Sequence, residues 1–215
     1  SIGPFVFFDH IGPALLGGER AMAVRPHPHI GLATVTYLWE GAMMHRDSLG
    51  CVQEVLPGDV NWMIAGRGIV HSERTPERLL GKEHAMHGLQ TWVALPHAHE
   101  EDEPSFAHHP KATLPVLERD GATLTIVAGH GFGARAPVAV LSGTLYVSIE
   151  LRAGASLQIP AEHAERALYP VAGELTLDGV ELPRNTLSVL DPDALPVLRA
   201  VSDALSPGLL ESVLR

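Results

Sequence analysis

Short apolar runs, separated by turns rich in Gly and Pro, dominate the pattern of hydrophobic and polar positions along the chain. Six such runs lie between Arg25 and Ala94, rich in β-branched and aromatic residues: Leu32–Trp39, Ala42–Arg46, Cys51–Leu56, Val60–Ile64, Ile69–Arg74 and Leu89–Ala94. Turn signals such as Glu40-Gly41 and Pro57-Gly58-Asp59 stand between them. Runs of this length at this spacing predict the strands of a β-sandwich or barrel.

The second half repeats this organisation in shorter pieces. Its predicted strands are Leu124–Ala128, Thr144–Leu151, Ser156–Ile159, Arg166–Val171, Glu174–Leu177 and Thr186–Leu190. Between the halves, Pro96–Pro115 holds four prolines and four histidines and predicts a linker or long surface loop. Only the tail, Pro207–Arg215, is predicted to be helical. We therefore expect an all-β fold of two small barrel domains, at residues 1–116 and 117–215.

Composition narrows the class of protein. Among 215 residues, 46% are hydrophobic and 19% charged, which is typical of a globular chain with a buried core. With 15 Lys and Arg against 25 Asp and Glu the net charge is −10, which argues against a surface for direct nucleic-acid contact. No apolar stretch approaches the roughly 18 residues of a membrane span, and no signal peptide is recognised. Cys51 is the single cysteine, so a cytoplasmic protein is expected, and small closed barrels of this charge favour a monomer.

Histidine supplies the candidate chemistry, with 13 residues in the chain. Alternate side chains share one face of a strand, so His27 and His29 point to the same side, as do His71 and Glu73. The segment between the two pairs is long enough for about four strands, which would bring the pairs together inside a barrel. Three imidazoles and one carboxylate form a site for one divalent transition metal: Fe, Ni, Cu or Zn. Four protein ligands around an octahedral ion leave two positions open for reactants.

The remaining histidines are not expected to bind the metal. Either His-x-His or His-x-Glu alone is a weak signal, and it is their combination in one strand-rich stretch that predicts a metal site. His45 is expected beside the metal site or in the core, and His163 is isolated in a second half that has no matching ligand set. Cys51 is expected to be a small buried hydrophobe and not a nucleophile. Six histidines are expected in solvated loops: His84, His87, His97, His99, His108 and His109.

Several motifs together resemble the pirin family of the cupin superfamily. They are FFDHIGPA, PHPHIGLATVTYLWEG, HRDSLG and PGDVNWMIAGRGIVHSE. The resemblance implies a bicupin of two jelly-roll barrels with metal only in the first, and the family's ligands fall on His27, His29, His71 and Glu73. The chain departs from the family at Ala33, where many members have an acidic residue, and in a C-terminal region that lacks the family's Gly-Gly-x-Pro segment.

The resemblance also implies a function. We expect a metal-dependent dioxygenase of the quercetin 2,3-dioxygenase type, which uses dioxygen to cleave a flavonol-like aromatic substrate, with iron as the first expectation for the metal. Glu73 is the expected general base, and apolar side chains are expected to line the pocket: Phe7, Phe8, Val35, Trp62 and Met63. One alternative is a non-catalytic, metal-binding regulator of the pirin type that acts through a protein partner. Another is a bicupin that holds metal for stability alone.

Overall fold

Antiparallel β-strands make up nearly all of the regular structure in the computed structural model, which describes residues 1–18 and 20–211, with side chains up to residue 205. The all-β class is therefore confirmed. Helical residues in this part of the chain occur only as short 3-10 turns: Glu77–Leu79, His97–His99 and Lys111–Thr113. Accordingly, none of the described residues belongs to a helix with the length and hydrophobicity of a membrane span.

The strands divide between two compact units. One unit is residues 5–113, and the other combines residues 1–4 with the chain from residue 114 onward. The assignment of domains to residues 1–116 and 117–215 stays a prediction. Each unit has its own pair of sheets, as expected for the two jelly rolls of a bicupin.

Two sheets form the unit of residues 5–113. Their strands, numbered along the chain, are β1 Phe5–Leu16, β2 Ala23–His29, β3 Leu32–Glu40, β4 Met43–Asp47, β5 Val52–Val55, β6 Val60–Ile64, β7 Ile69–Arg74, β8 His84–Ala94 and β9 Ser105–His109. The five-stranded sheet has the order β1-β8-β3-β6-β9, and the four-stranded sheet has the order β2-β7-β4-β5. Every pair within them is antiparallel.

Side chains from both sheets meet inside this unit. Trp92 on β8 packs against His29 on β2, with ring centroids 5.0 Å apart. Phe106 on β9 stacks on His45 on β4 at 4.3 Å. One end of the interior is filled by the buried side chains of Leu38, Met43, Val55 and Met86. The inner faces of the two sheets therefore enclose one interior, which holds both apolar core and histidines.

The second unit follows the same plan with shorter strands. These are β10 Val116–Arg119, β11 Ala122–Gly131, β12 Ala134–Arg135, β13 Thr144–Leu151, β14 Ser156–Gln158, β15 Glu165–Leu168, β16 Leu175–Leu177, β17 Val180–Leu182, β18 Ser188–Leu190, β19 Val197–Ala200 and β20 Ala204–Glu211. One sheet has the order β10-β11-β13-β20-β15-β18, with β12 paired to β11, and the other β14-β19-β16-β17. A buried arginine, Arg166, donates hydrogen bonds to four backbone carbonyls that fix the adjoining loops: Pro160, Asp191, Pro192 and Ala194.

The predicted strands all fall on observed strands, and the predicted turn at Gly41 has a φ of +87°, a conformation that favours glycine. Two other expectations are wrong. Residues Ser105–His109, inside the predicted loop, form β9 because they pair with β6. Residues 207–211 of the predicted helical tail lie in β20, where pairing with β13 and β15 outweighs the local pattern, and residues 212–215 lie outside the described chain.

Candidate metal centre

Cross-strand pairing brings three imidazoles together. β2 pairs with β7 so that His27 lies opposite His71, and His29 follows on the same face of β2. The ring centroid of His71 lies 4.4 Å from that of His27 and 4.9 Å from that of His29. One ring nitrogen from each histidine lies within 4.8 Å of the others. The fold therefore brings together His27, His29 and His71, the three histidines whose positions in the alternation of side chains along a strand predicted a shared site.

The edge position of β2 explains how a proline fits between two of these histidines. β2 is the outermost strand of its sheet, and the pairing register shifts between Val24 and His27, which marks a bulge or irregularity. Pro28 has no N–H to donate, and its exposed side chain lies on the face opposite the two imidazoles. An outermost strand with such a shift is a position where a proline interrupts little of the hydrogen bonding between strands.

Glu73 lies beside this group of imidazoles. It is two residues beyond His71 on β7 and 3% exposed, and its Oε1 atom lies 3.1 Å from Nδ1 of His71. The Nε2 amide of Gln90 donates a hydrogen bond of 3.1 Å to the same oxygen and one of 3.0 Å to Oγ1 of Thr36. Gln90 therefore holds one carboxylate oxygen of Glu73 and leaves Oε2 for another partner.

Burial sets the charge state of these groups. Removal from water lowers the pKa of His71 to about 3, with the neighbouring imidazoles of His27, His29 and His45 adding to the effect. Burial likewise lowers the pKa of His29. For Glu73, burial raises the carboxyl pKa, and the hydrogen bond from Gln90 partly opposes that rise. The imidazoles of His29 and His71 are therefore neutral at pH 7, which is the form that binds metal.

Buried ring nitrogens and a carboxylate oxygen without hydrogen-bond partners provide donor atoms for a metal ion. Within the described part of the chain, Nε2 of His29, both ring nitrogens of His71 and Oε2 of Glu73 are buried without a hydrogen-bond partner. Each such atom costs roughly 1–3 kcal/mol if nothing binds it. Ligands about 2.1 Å from one ion are at most about 4.2 Å apart, so nitrogens within 4.8 Å of one another need only small shifts.

Two further contacts orient the cluster. Nδ1 of His27 lies 2.9 Å from the Arg25 carbonyl oxygen, and as a donor there it leaves Nε2 free to bind a metal. His45, on β4, packs against His71 with ring centroids 5.3 Å apart. Its Nε2 atom lies 2.8 Å from Oδ2 of the buried Asp47. His45 therefore lies next to the imidazoles, which is one of the two positions expected from the sequence, and is held in place by Asp47.

A cavity of about 150 Å³ opens beside Glu73. Its polar lining is Asp9, His27, Glu73 and Gln90, and its apolar lining is Phe7, Ile11, Met22, Val24, Met43 and Trp92. Of the side chains expected to line a pocket, Phe7 does so. Phe8, Val35, Trp62 and Met63 do not contribute to this lining, and the last three are core residues. Nothing in the local sequence marks Gln90 or Trp92, which reach the site because β8 crosses it.

The prediction of solvated loops is wrong for four of the six histidines. His84 and His87 lie on β8, and His108 and His109 on β9, whereas His97 and His99 form exposed pairs with Glu100 and Asp102. His163 is not isolated, since its Nε2 atom lies 3.0 Å from the carbonyl oxygen of His130. Even so, the described part of the second unit contains no group of three ligand side chains at metal-binding spacing. Cys51 is half-buried and not buried as expected, although burial and the nearby Asp47 raise the pKa of its thiol, which does not favour a nucleophile.

We expect the stability of the metal-free protein to fall as the pH drops from 7.5 to 5.5. Because the folded protein lowers the pKa of His71 from 6.5 to about 3, the unfolded chain binds more protons in this interval. Glu73 acts in the opposite direction, since its raised pKa stabilises the folded state more at low pH. Urea unfolding with a chelator, at both pH values, should show a smaller decrease for His71→Gln than for the wild type. Equal decreases would contradict this assignment.

Comparisons with known proteins agree with this architecture. The sequence profile of the family described as Pirin matches residues 1–93. A pirin-like protein of Caulobacter vibrioides is 47% identical over 203 residues, covering 93% of this chain and 70% of that protein. The crystal structure of a quercetin 2,3-dioxygenase from Acinetobacter baumannii has a TM-score of 0.88 and 34% identity, covering 99% of this chain and 70% of that one. A bacterial pirin from Escherichia coli in complex with nickel(II) shares the fold, with a TM-score of 0.70, 21% identity, and coverage of 93% of this chain and 80% of that one. The chain spans between 45% and 64% of the length of other curated relatives.

Proposed function

This chain belongs to the pirin family of the cupin superfamily, and from that premise we propose that it is a metal-dependent dioxygenase of the quercetin 2,3-dioxygenase type. The observation that carries the proposal is the set of buried, unpartnered nitrogen and oxygen atoms on His29, His71 and Glu73. Glu73 lines the cavity of about 150 Å³ together with His27, so a small aromatic molecule bound there would lie beside two of the residues that would hold the ion. The likeness to a solved quercetin 2,3-dioxygenase supports the choice of reaction.

We assign one divalent transition metal per chain to His27, His29, His71 and Glu73. Neutral imidazole and carboxylate ligands suit iron, our first expectation, and equally nickel, copper or zinc. The nickel(II) complex of the Escherichia coli pirin shows that this fold accepts such an ion in that protein. When bound, the metal supplies a Lewis acid that acidifies a substrate hydroxyl and a template that holds both reactants.

Glu73 is the residue we assign to proton transfer. Burial raises its pKa, so its carboxylate holds a proton more tightly than a solvated one and is a better base for an enolic hydroxyl. Gln90 fixes one carboxylate oxygen at 3.1 Å and so orients the other. The apolar side chains of Phe7, Met43 and Trp92 in the cavity lining provide contact surface for an aromatic ring.

Oxygen uptake with quercetin tests the proposal. We expect protein reconstituted separately with Fe(II), Ni(II), Cu(II) and Zn(II) to consume dioxygen and release carbon monoxide with at least one redox-active ion, and the metal-free protein to do neither. An oxygen electrode and carbon monoxide detection give both readouts. If one ion binds per chain but no metal supports uptake, the dioxygenase proposal fails and a metal-binding regulator with a protein partner is favoured instead.

A further inference from the structure

Strand β1 contributes side chains that contact both the solvent and the cavity beside Glu73. Phe7, Asp9 and Ile11 alternate along this strand, and all three line the cavity, as the two-residue period of a strand requires. Phe7 is 50% exposed, and Asp9 is exposed as well. A ligand in the cavity therefore lies beside an exposed carboxylate.

The carboxylate of Asp9 is the second one in this lining. Asp9 lies opposite Gln90 in the pairing of β1 with β8, and the amide of Gln90 donates its hydrogen bond to Oε1 of Glu73. Burial raises the pKa of Glu73, and the negative charge of Asp9 adds to that rise. The charge of Asp9 is therefore felt at the part of the cavity where Glu73 lies.

Positively charged side chains do not balance these two carboxylates. None of the described residues that line the cavity is a lysine or an arginine. Imidazoles bind a metal in their neutral form, so a divalent ion together with the carboxylates of Asp9 and Glu73 would carry no net charge. Without Asp9, the same group would carry one positive charge and would attract anions.

The volume of the cavity suits one six-membered ring. It measures about 150 Å³, and an engineered apolar cavity of similar volume binds benzene. Phe7, Met43 and Trp92 supply apolar surface in the lining, and the ring centroids of Phe7 and Trp92 lie 4.8 Å apart. Aromatic side chains in this position favour a flat ring as the occupant.

We propose that Asp9 selects against anionic ligands, so that the cavity takes a single hydroxylated ring and rejects the same ring when it carries a carboxylate. For the hydroxyl group that would meet the metal, this rests on the proposed function, whereas the selection by charge does not. The carboxylate of such an acid would lie near Asp9 with no cationic side chain in the described lining to offset the repulsion.

Binding of two matched compounds tests this without turnover. Kojic acid and comenic acid share one hydroxypyranone ring, which carries a hydroxymethyl group in the first and a carboxylate in the second. Zn(II) has no redox chemistry of its own, so calorimetric titration of the Zn(II)-loaded protein reports affinity alone. Each affinity is divided by the affinity of the compound for free Zn(II), which removes differences in chelating strength.

At low salt we expect the wild type to prefer kojic acid by about tenfold after this correction. Because salt screens charges that are exposed to solvent, the preference should shrink in about 0.5 M sodium chloride. Asp9→Asn should remove most of the preference by strengthening the binding of comenic acid, while the affinity for kojic acid changes less than about threefold. Asp9→Glu, which restores the charge, should keep the preference.

Asp102→Asn is the matched control. Asp102 is exposed in the same unit, pairs with His99 and does not line the cavity. This variant should show the wild-type preference at both salt concentrations. Circular dichroism checks the fold of each variant, and the salt dependence of the wild type tests the role of charge without any substitution.

The proposal is overturned if the wild type binds both compounds equally, if it binds neither, or if Asp9→Asn keeps the preference. Oxygen uptake with quercetin distinguishes this result from the fate of the proposed function. If the charge preference behaves as expected but uptake is absent with every metal, the selection by Asp9 stands and the dioxygenase assignment fails. If uptake occurs but the two compounds bind equally, only the selection by Asp9 fails.

Discussion

His71→Ala is expected to abolish binding of one metal ion per chain while the protein stays folded. The ring of His71 lies 4.4 Å from that of His27 and 4.9 Å from that of His29, and its Nδ1 atom lies 3.1 Å from the carboxylate of Glu73. Loss of this ligand should weaken metal affinity by more than about 100-fold, since even changes around metal ligands cost 10- to 100-fold. Metal analysis after dialysis gives the stoichiometry, and circular dichroism reports the fold.

His163→Ala is the matched control for this variant. Both histidines are 2% exposed, but His163 lies in the second unit and its nitrogen is paired with a backbone carbonyl. It should keep one equivalent of metal. Full metal content in His71→Ala would remove the basis for the site, because the three-imidazole group does not exist without it.

Glu73→Gln is expected to keep much of the metal and to lose turnover by on the order of 100-fold or more. A positioned general base contributes about 10²–10⁴-fold to rate, and glutamine keeps the shape of the side chain but cannot take a proton. Its carbonyl oxygen can still accept the hydrogen bond from Gln90. Oxygen uptake with quercetin, divided by the measured metal content, separates the loss of base from any loss of metal.

Glu54→Gln controls for the removal of a carboxylate in the same unit, since Glu54 pairs with Arg78 and does not line the cavity. It should turn over substrate as the wild type does.

Normal turnover by Glu73→Gln would show that another group accepts the proton. Loss of metal along with activity would leave Glu73 a ligand without a demonstrated role as base.

In the first unit, a strand could be predicted where its own residues form a continuous run of apolar, β-branched or aromatic side chains. Leu32–Glu40 is a run of buried, β-branched and aromatic residues, and the strand lies where the pattern predicts it. β1 was not predictable in the same way, because Asp9, His10 and Pro13 interrupt its apolar residues. Its pairing with β8, from Phe5 to Leu16, supplies the order that the local pattern lacks.

The ligand candidates were predictable because the period of a strand places His27 and His29, or His71 and Glu73, on one face. The two pairs of residues come close together if the strands that carry them belong to the same barrel. Gln90 and Trp92 were not predictable, since their roles depend on β8 lying in the opposite sheet. Their positions near Glu73 and His29 result from the packing of one sheet on the other.

The chain order of the two units has a consequence for synthesis on the ribosome. The N–H of Gly3 donates a hydrogen bond of 2.7 Å to a carboxylate oxygen of Glu165, 162 residues later. Residues 5–113 can fold once they have emerged, because domains generally fold as units during translation. Residues 1–4 belong to the later unit and have no completed partner until Glu165 has been added. Residues 1–4 are therefore synthesised before residues 5–113 but reach their final contacts after them.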